Sequence, residues 1–251
     1  MSSLSQNFES NVCEPGPSNP DASLDKLPAE LKVSILKAVP DISTLWILVQ
    51  ASPLYYEVYR SHRRLILSTI LSNLPLPIAS ESLAVLQVSR ILSETTELSK
   101  NMEHSEMRSE CKQAIENFAT QYKQQEQDTV AQTLLHIDLE DAMAVATLHL
   151  LIERMTRRFC DLRCALNPVT CEAEPTYERN SLSETIRTQR AFYRLELFSR
   201  MFPTDWPLSY LFDEDDMASL LSLLFSNYTP WEIEEIGCIV DFMSDMYSTR
   251  S

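Results

Sequence analysis

Residues 24–67 read LDKLPAELKVSILKAVPDISTLWILVQASPLYYEVYRSHRRLIL, and the prolines divide this run into three helices. Proline is tolerated in the first turn of a helix, where its missing N–H has no intrahelical partner. Pro28 stands at such a start, after Leu24 and Asp25. Pro40 and Asp41 end the first helix and begin the second, with Asp41 placed to cap ISTLWILVQA. Ser52 and Pro53 repeat the device, Ser as N-cap and Pro as first helical residue, before LYYEVYRSHRRLILSTIL.

The composition extends this reading to the whole chain. Only two of 251 residues are Gly, against 13 Pro. Without Gly there are few positions that adopt a positive φ cheaply, so tight hairpins and phosphate-cradling loops are hard to build. The expected fold is all-α. A net charge of −15 argues against a nucleic-acid footprint, which needs a basic face. No apolar run reaches the roughly 18–20 residues of a membrane span. Residues 1–23 have no apolar signal core and, rich in Ser, Asn and Pro, read as a disordered leader. The expected location is intracellular, cytoplasmic or nuclear, with the six Cys reduced.

Beyond the break NLPLPIAS, Ser80 or Ser82 opens a helix through SLAVLQVSRILSET. The polar stretch from His104 follows, with Met107, Cys111, Ile115 or Ala114, Phe118 and Tyr122 as a narrow apolar stripe. A long helical pattern runs from Leu139 to Asn167–Pro168, and PVTCEAEPTYERN reads as loop. Ser181 with Glu184, and Thr229 with Glu232, form capping-box patterns. Asp213–Asp216 load another helix start with negative charge. The domain reading is a leader (1–23), a three-helix head (24–74) and a larger irregular helical domain (79–248).

On a helical wheel, Leu31, Ile35, Ala38 and Val39 share one arc, the expected core stripe. Val33 and Leu36 form a second, smaller apolar face. Leu27-Pro28-x-Glu30-Leu31-x-x-x-Ile35-Leu36, followed by Val39-Pro40-Asp41, Leu45 and Ala51-Ser52, resembles an F-box. The usual ending of that motif is replaced by Gln50-Ala51-Ser52-Pro53-Leu54-Tyr55. This variant, with RTQRAFYRLELFSRMF and PWEIEEIGCIVDFM downstream, is similar to fungal proteins in which an F-box-like head precedes a long helical region. The resemblance implies docking on the Skp-type adaptor of a cullin–RING ubiquitin ligase. Carried over by position, it implies adaptor contacts from Leu27, Pro28, Leu31, Val33, Ile35, Leu36 and Leu45.

Other chemistry is sparse. Cys160, Cys164 and Cys171 lack a CxxC pair, and small buried hydrophobes is the favoured reading over zinc ligands. The four His show no nucleophile pairing, and His149 lies in an apolar helix as a core residue. No phosphate-loop motif is present, so no cofactor, metal or catalytic residue is expected. Trp231 reads as a staple of its helix onto the bundle. Arg154, Arg157 and Arg158, and Arg187, Arg190 and Arg194, recur at helical spacing and could grip an acidic target; pairing with the abundant Glu and Asp is the favoured alternative. Two functions follow. One is a non-catalytic substrate receptor of a Skp–cullin–F-box ligase with an unspecified protein target. The other is a helical interaction or scaffold protein whose head is structural only.

Overall fold

The computed structural model describes residues 26–98, 104–122, 127–164, 181–202 and 212–248. Among these residues there are ten α-helices and no strand. The three expected head helices are α1 (Ala29–Lys37), α2 (Ile42–Ala51) and α3 (Pro53–Ser72). Asp41 caps α2 through the Thr44 N–H at 2.7 Å. Pro53 opens α3 after Ser52, whose side chain makes no capping bond. At His62 the α3 backbone departs from helical angles (φ −125°, ψ 22°). The His62 ring Nδ1 lies 3.2 Å from the Val58 carbonyl, the acceptor its own amide would use in a straight helix.

The remaining helices are α4 (Leu76–Leu98), α5 (His104–Gln121), α6 (Gln127–His136), α7 (Leu139–Phe159), α8 (Leu182–Met201), α9 (Glu214–Phe225) and α10 (Pro230–Ser248). A π-helical turn, Cys160–Cys164, continues α7. Both capping boxes form: Ser181 and Glu184 exchange bonds at α8, and Thr229 and Glu232 at α10. Asp213 caps α9. The leader of residues 1–23, the expected helix stop at Asn167–Pro168, the loop after it and Cys171 lie outside the described residues.

Three expectations need correction, and one helix has no counterpart in the sequence reading. The helix expected from Ser80 or Ser82 begins at Leu76, because Pro77 falls in the first turn, where it is tolerated. A separate helix, α6, occupies the interval before Leu139; its buried signal is only Val130 and Leu134. Trp231 staples nothing, being 74% exposed. The core stripe of α1 is also rotated from the one expected. Leu36 is 0% and Val39 7% exposed, with Lys32 buried between them at 7%, while Leu31 is 50% exposed. Positions 32, 35, 36 and 39 form the buried stripe, since a Lys stem covers apolar surface as a hydrophobe does.

The head does not have a core of its own. Leu36, Leu45, Val49, Tyr59, Ile66 and Leu71 belong to one cluster with Ala79 and Leu83 of α4, Val130 and Leu134 of α6, and Ala142, Val145 and Ala146 of α7. A second cluster joins the rest of α4 to α5, α8, α9, α10 and Ile152 of α7. Helices α4 and α7 therefore run through both. The boundary expected between residues 74 and 79 does not separate the two clusters, since the first holds residues from both sides of it.

The rotated stripe has a direct consequence. Leu36→Ala is expected to cost about 2–5 kcal/mol in urea unfolding, and Leu31→Ala less than about 1 kcal/mol. The opposite ranking would restore the wheel reading.

Candidate functional site

Helix α7 carries two stripes. Ala142, Val145, Ala146, His149 and Ile152 face the interior. Met143, Thr147, Leu151 and Arg154 recur along a second side, with Met143 40% and Leu151 51% exposed. That side forms one wall of a groove whose other wall is the Tyr56–Arg60–Arg63 stripe of α3, with Trp46 of α2 beside it. The spacings are three or four residues, which puts each set on one helix face. Trp46 and Tyr56 are 44% and 47% exposed. Leu45 and Leu67, both core residues, contribute to the lining, and the groove encloses about 860 Å³.

The charge of this groove is opposite to that of the chain. Four Arg (60, 63, 154 and 200) line it against one Glu, Glu196. Two of the four are compensated: Arg60 by Glu57 at 3.1 Å and Arg200 by Glu196 at 2.7 Å. Among the described residues, Arg154 has no polar partner, and Arg63 reaches only the Met143 sulfur, at 4.0 Å, with its Nε buried and unpaired. An unpaired buried donor costs about 1–3 kcal/mol. Apolar, aromatic and uncompensated cationic groups thus converge on one concavity, the usual composition of a recognition site.

The residues expected to touch an adaptor separate into two sets. Pro28 and Leu31 are exposed, and Leu27, Val33 and Ile35 are half-buried. Leu36 and Leu45 are core residues, at 0% and 1% exposure, and are not available to a partner in this conformation. Packing in the shared cluster takes both.

The two Arg sets also separate. Arg157 lies 3.7 Å from Glu153 and donates to Ser43 at 3.3 Å; Arg158 is exposed. Arg154 alone of its set lines the groove. The second set is consumed internally. Arg187 pairs with Glu235 at 2.6 Å. Arg194, 3% exposed, donates to Glu81 at 2.8 Å and to Glu232 at 2.6 Å, and Arg190 donates to Glu232 at 2.9 Å. Tyr122 donates to Glu81, and the Arg194 guanidinium lies 4.6 Å from the Tyr228 ring centroid. Burial alone would raise the Glu232 carboxyl, but the Thr229 N–H and Arg194 outweigh it and hold it at about 2. Burial pushes the Tyr122 and Tyr228 hydroxyls above the ordinary range. This cluster ties α4, α8 and α10 together.

No His, Cys, Asp and Glu group among the described residues could hold a metal ion. His149 is buried, its Nδ1 3.0 Å from the Tyr193 hydroxyl and its Nε2 3.5 Å from Glu153. Cys111 is buried, Cys160 half-buried and Cys238 exposed. Asp216 of the acidic run is held by Lys112 at 2.6 Å and by Arg108. Among the described residues no helix is long and apolar enough to cross a membrane. Compared with protein-family models, curated proteins and solved structures, the chain matches none.

Two variants probe the buried cluster. Arg194→Met leaves the buried Glu81 with only Arg190, at 3.7 Å, as a cationic partner among the described residues and is expected to cost about 3–5 kcal/mol, read from urea unfolding; a cost under about 1 kcal/mol would mean that the pair is dispensable. Glu232 titrates lower folded than unfolded, so its contribution is complete above its ordinary pKa of 4.5 and disappears as pH falls towards 2. Stability is expected to fall through that window by on the order of 2–3 kcal/mol from this group. Glu232→Gln should flatten that part of the fall in the urea midpoint while lowering stability at neutral pH.

Proposed function

We propose that the chain is a non-catalytic protein-interaction module that holds a segment of protein in the groove between α2, α3 and α7. The observation that carries this is the groove's composition: exposed Trp46, Tyr56, Met143 and Leu151 beside Arg63 and Arg154, which no carboxylate neutralises among the described residues. Aromatic, Met and Arg side chains are those enriched where proteins meet. Excess positive charge selects an acidic segment, and apolar side chains at three- and four-residue spacing suit an amphipathic helix.

A second reading adds the ligase role implied by the F-box resemblance. The exposure of Pro28 and Leu31 at the start of α1 favours it, because these two motif residues remain free to meet a Skp-type adaptor. Function would then be proximity: the head docks on the ligase and the groove presents a target. In that case Leu31→Glu should abolish binding of a Skp-type adaptor in calorimetry without unfolding the chain. A folded wild-type chain with no affinity for the adaptor would leave the interaction module alone.

The groove is tested with a designed peptide carrying Leu and Phe at helical spacing and Glu elsewhere, and with its Lys-for-Glu twin. The acidic peptide is expected to bind, shift the Trp46 fluorescence and weaken as salt rises. Arg63→Glu/Arg154→Glu should reduce its affinity at least tenfold. Equal binding of the two peptides, or indifference to the Arg reversal, would contradict the reading.

A further inference from the structure

A second cavity shares Arg60 and Arg63 with the groove but is otherwise separate from it. It encloses about 590 Å³ between residues 60–68 of α3 and the corner from α6 to α7, at Leu135, His136 and Leu139. Successive residues of a straight helix point about 100° apart, so six in a row do not face one cavity. Residues 60–65 all line this one, and the break in α3 at His62 falls inside that run. Arg63 and Arg64, adjacent in sequence, therefore reach the same space.

No carboxylate lines the cavity, although the chain has 36 Asp and Glu against 21 Lys and Arg. Arg64 donates its Nε to the Ile137 carbonyl at 3.2 Å and its Nη2 to the His136 carbonyl at 3.4 Å. Those bonds hold the guanidinium in place without neutralising it, and its Nη1 has no partner among the described residues. Arg63 finds no oxygen acceptor among the described residues. Arg60 has Glu57, but both side chains are more than half exposed, and a surface pair of this kind holds weakly. Asp138, beside the corner, is engaged elsewhere: it accepts the Asp141 N–H at 2.9 Å and lies 3.8 Å from Arg90. The Ser61 and Ser68 hydroxyls donate to the Glu57 and Leu65 carbonyls, so the donors left for a ligand are those of the Arg side chains. Beside them stand Leu65 and Leu135, 47% and 41% exposed.

The space suits a ligand with more than one negative charge and an apolar part. A phosphomonoester carries a charge of about −1.5 to −2 and three acceptor oxygens, which match the planar forks of Arg. The volume exceeds that of a phosphate group alone and lies in the ordinary range of small-ligand sites. We infer that this cavity binds an organic phosphomonoester, with the phosphate on Arg63 and Arg64, Arg60 beside them, and the organic part against Leu65 and Leu135. The site does not depend on the groove, since Arg64 and Leu135 take no part in that.

The full chain is titrated by calorimetry with phenyl phosphate and, in parallel, with benzoate, which offers the same ring and a single charge. Phenyl phosphate should fill one saturable site at least tenfold more tightly than benzoate, and weaken as salt rises. Arg63→Gln and Arg64→Gln should each lower that affinity at least fivefold. Arg158→Gln, which removes an exposed cation of α7, should leave it unchanged. Arg63 makes no bond to oxygen among the described residues, so its variant carries the test even if loss of the Arg64 bonds unfolds the chain, as circular dichroism would show. A short phosphotyrosine peptide separates the sources of the phosphate: tighter binding than phenyl phosphate assigns the site to a phosphorylated protein segment, equal binding to small organic phosphates. No saturable binding of phenyl phosphate, an affinity equal to that of benzoate, or an unchanged affinity in folded Arg63→Gln would overturn the inference. Each of those results would leave the groove, with Trp46 and Arg154, to be judged by its own peptide test.

Discussion

Arg194 brings a charge into the interior of α8, and that is tolerated only where carboxylates and hydrogen bonds compensate it. Glu81 and Glu232 supply them, from α4 and α10, and Tyr122 satisfies the second oxygen of Glu81. The position of Glu81 explains why this matters beyond the local cluster. It lies on α4 between Ala79 and Leu83, which pack with the head, and Ala84 and Val85, which pack with the C-terminal helices. Fixing Glu81 fixes the helix on which both cores are built. Hydrophobic burial supplies most of the stabilisation; the ion cluster, through its directional bonds, sets how α4, α8 and α10 sit against one another.

The groove follows from the same economy of helices. With no strands among the described residues, each buried surface must be a helix face. Helix α7 spends one face on the head and the second core, and its opposite stripe, Met143 to Arg154, stands beside α3 with nothing from the described residues over it. Arg187, Arg190 and Arg108 are matched to carboxylates at hydrogen-bonding distance. In a chain of net charge −15, the groove sets Arg63 and Arg154, which no carboxylate neutralises among the described residues, beside exposed apolar and aromatic side chains.

Much of the fold could be read from local chemistry. Asp41, Ser181–Glu184, Asp213 and Thr229–Glu232 mark helix starts through bonds made within four residues, and Pro53 marks one through its fixed φ, so no tertiary knowledge is needed. Which face of a helix is buried is a tertiary matter, and there the reading slipped. Lys32 looks polar on a wheel, yet its stem lies in the core stripe of α1 and Leu31 points outward. The pairing of Arg190 and Arg194 was anticipated as one alternative, but their partners stand about 40 and 110 residues away in sequence and no spacing names them. The groove was not legible at all. Its walls come from residues 42–67 and 143–154; of these, only Leu45, as an adaptor contact, and Arg154, by its neighbours Arg157 and Arg158, which lie elsewhere, stand out in the sequence.

The central claim is that head and body share one core through α4 and α7 and so open together. Native-state hydrogen exchange across low urea concentrations measures this directly, comparing the amides of Ile66–Leu71 in α3 with those of Ala191–Leu197 in α8. The account expects the two sets to merge into one opening reaction, with free energies within about 1 kcal/mol of each other. If the α3 amides open at much lower free energy while α8 stays protected, the head is an independent module and the shared core does not hold it.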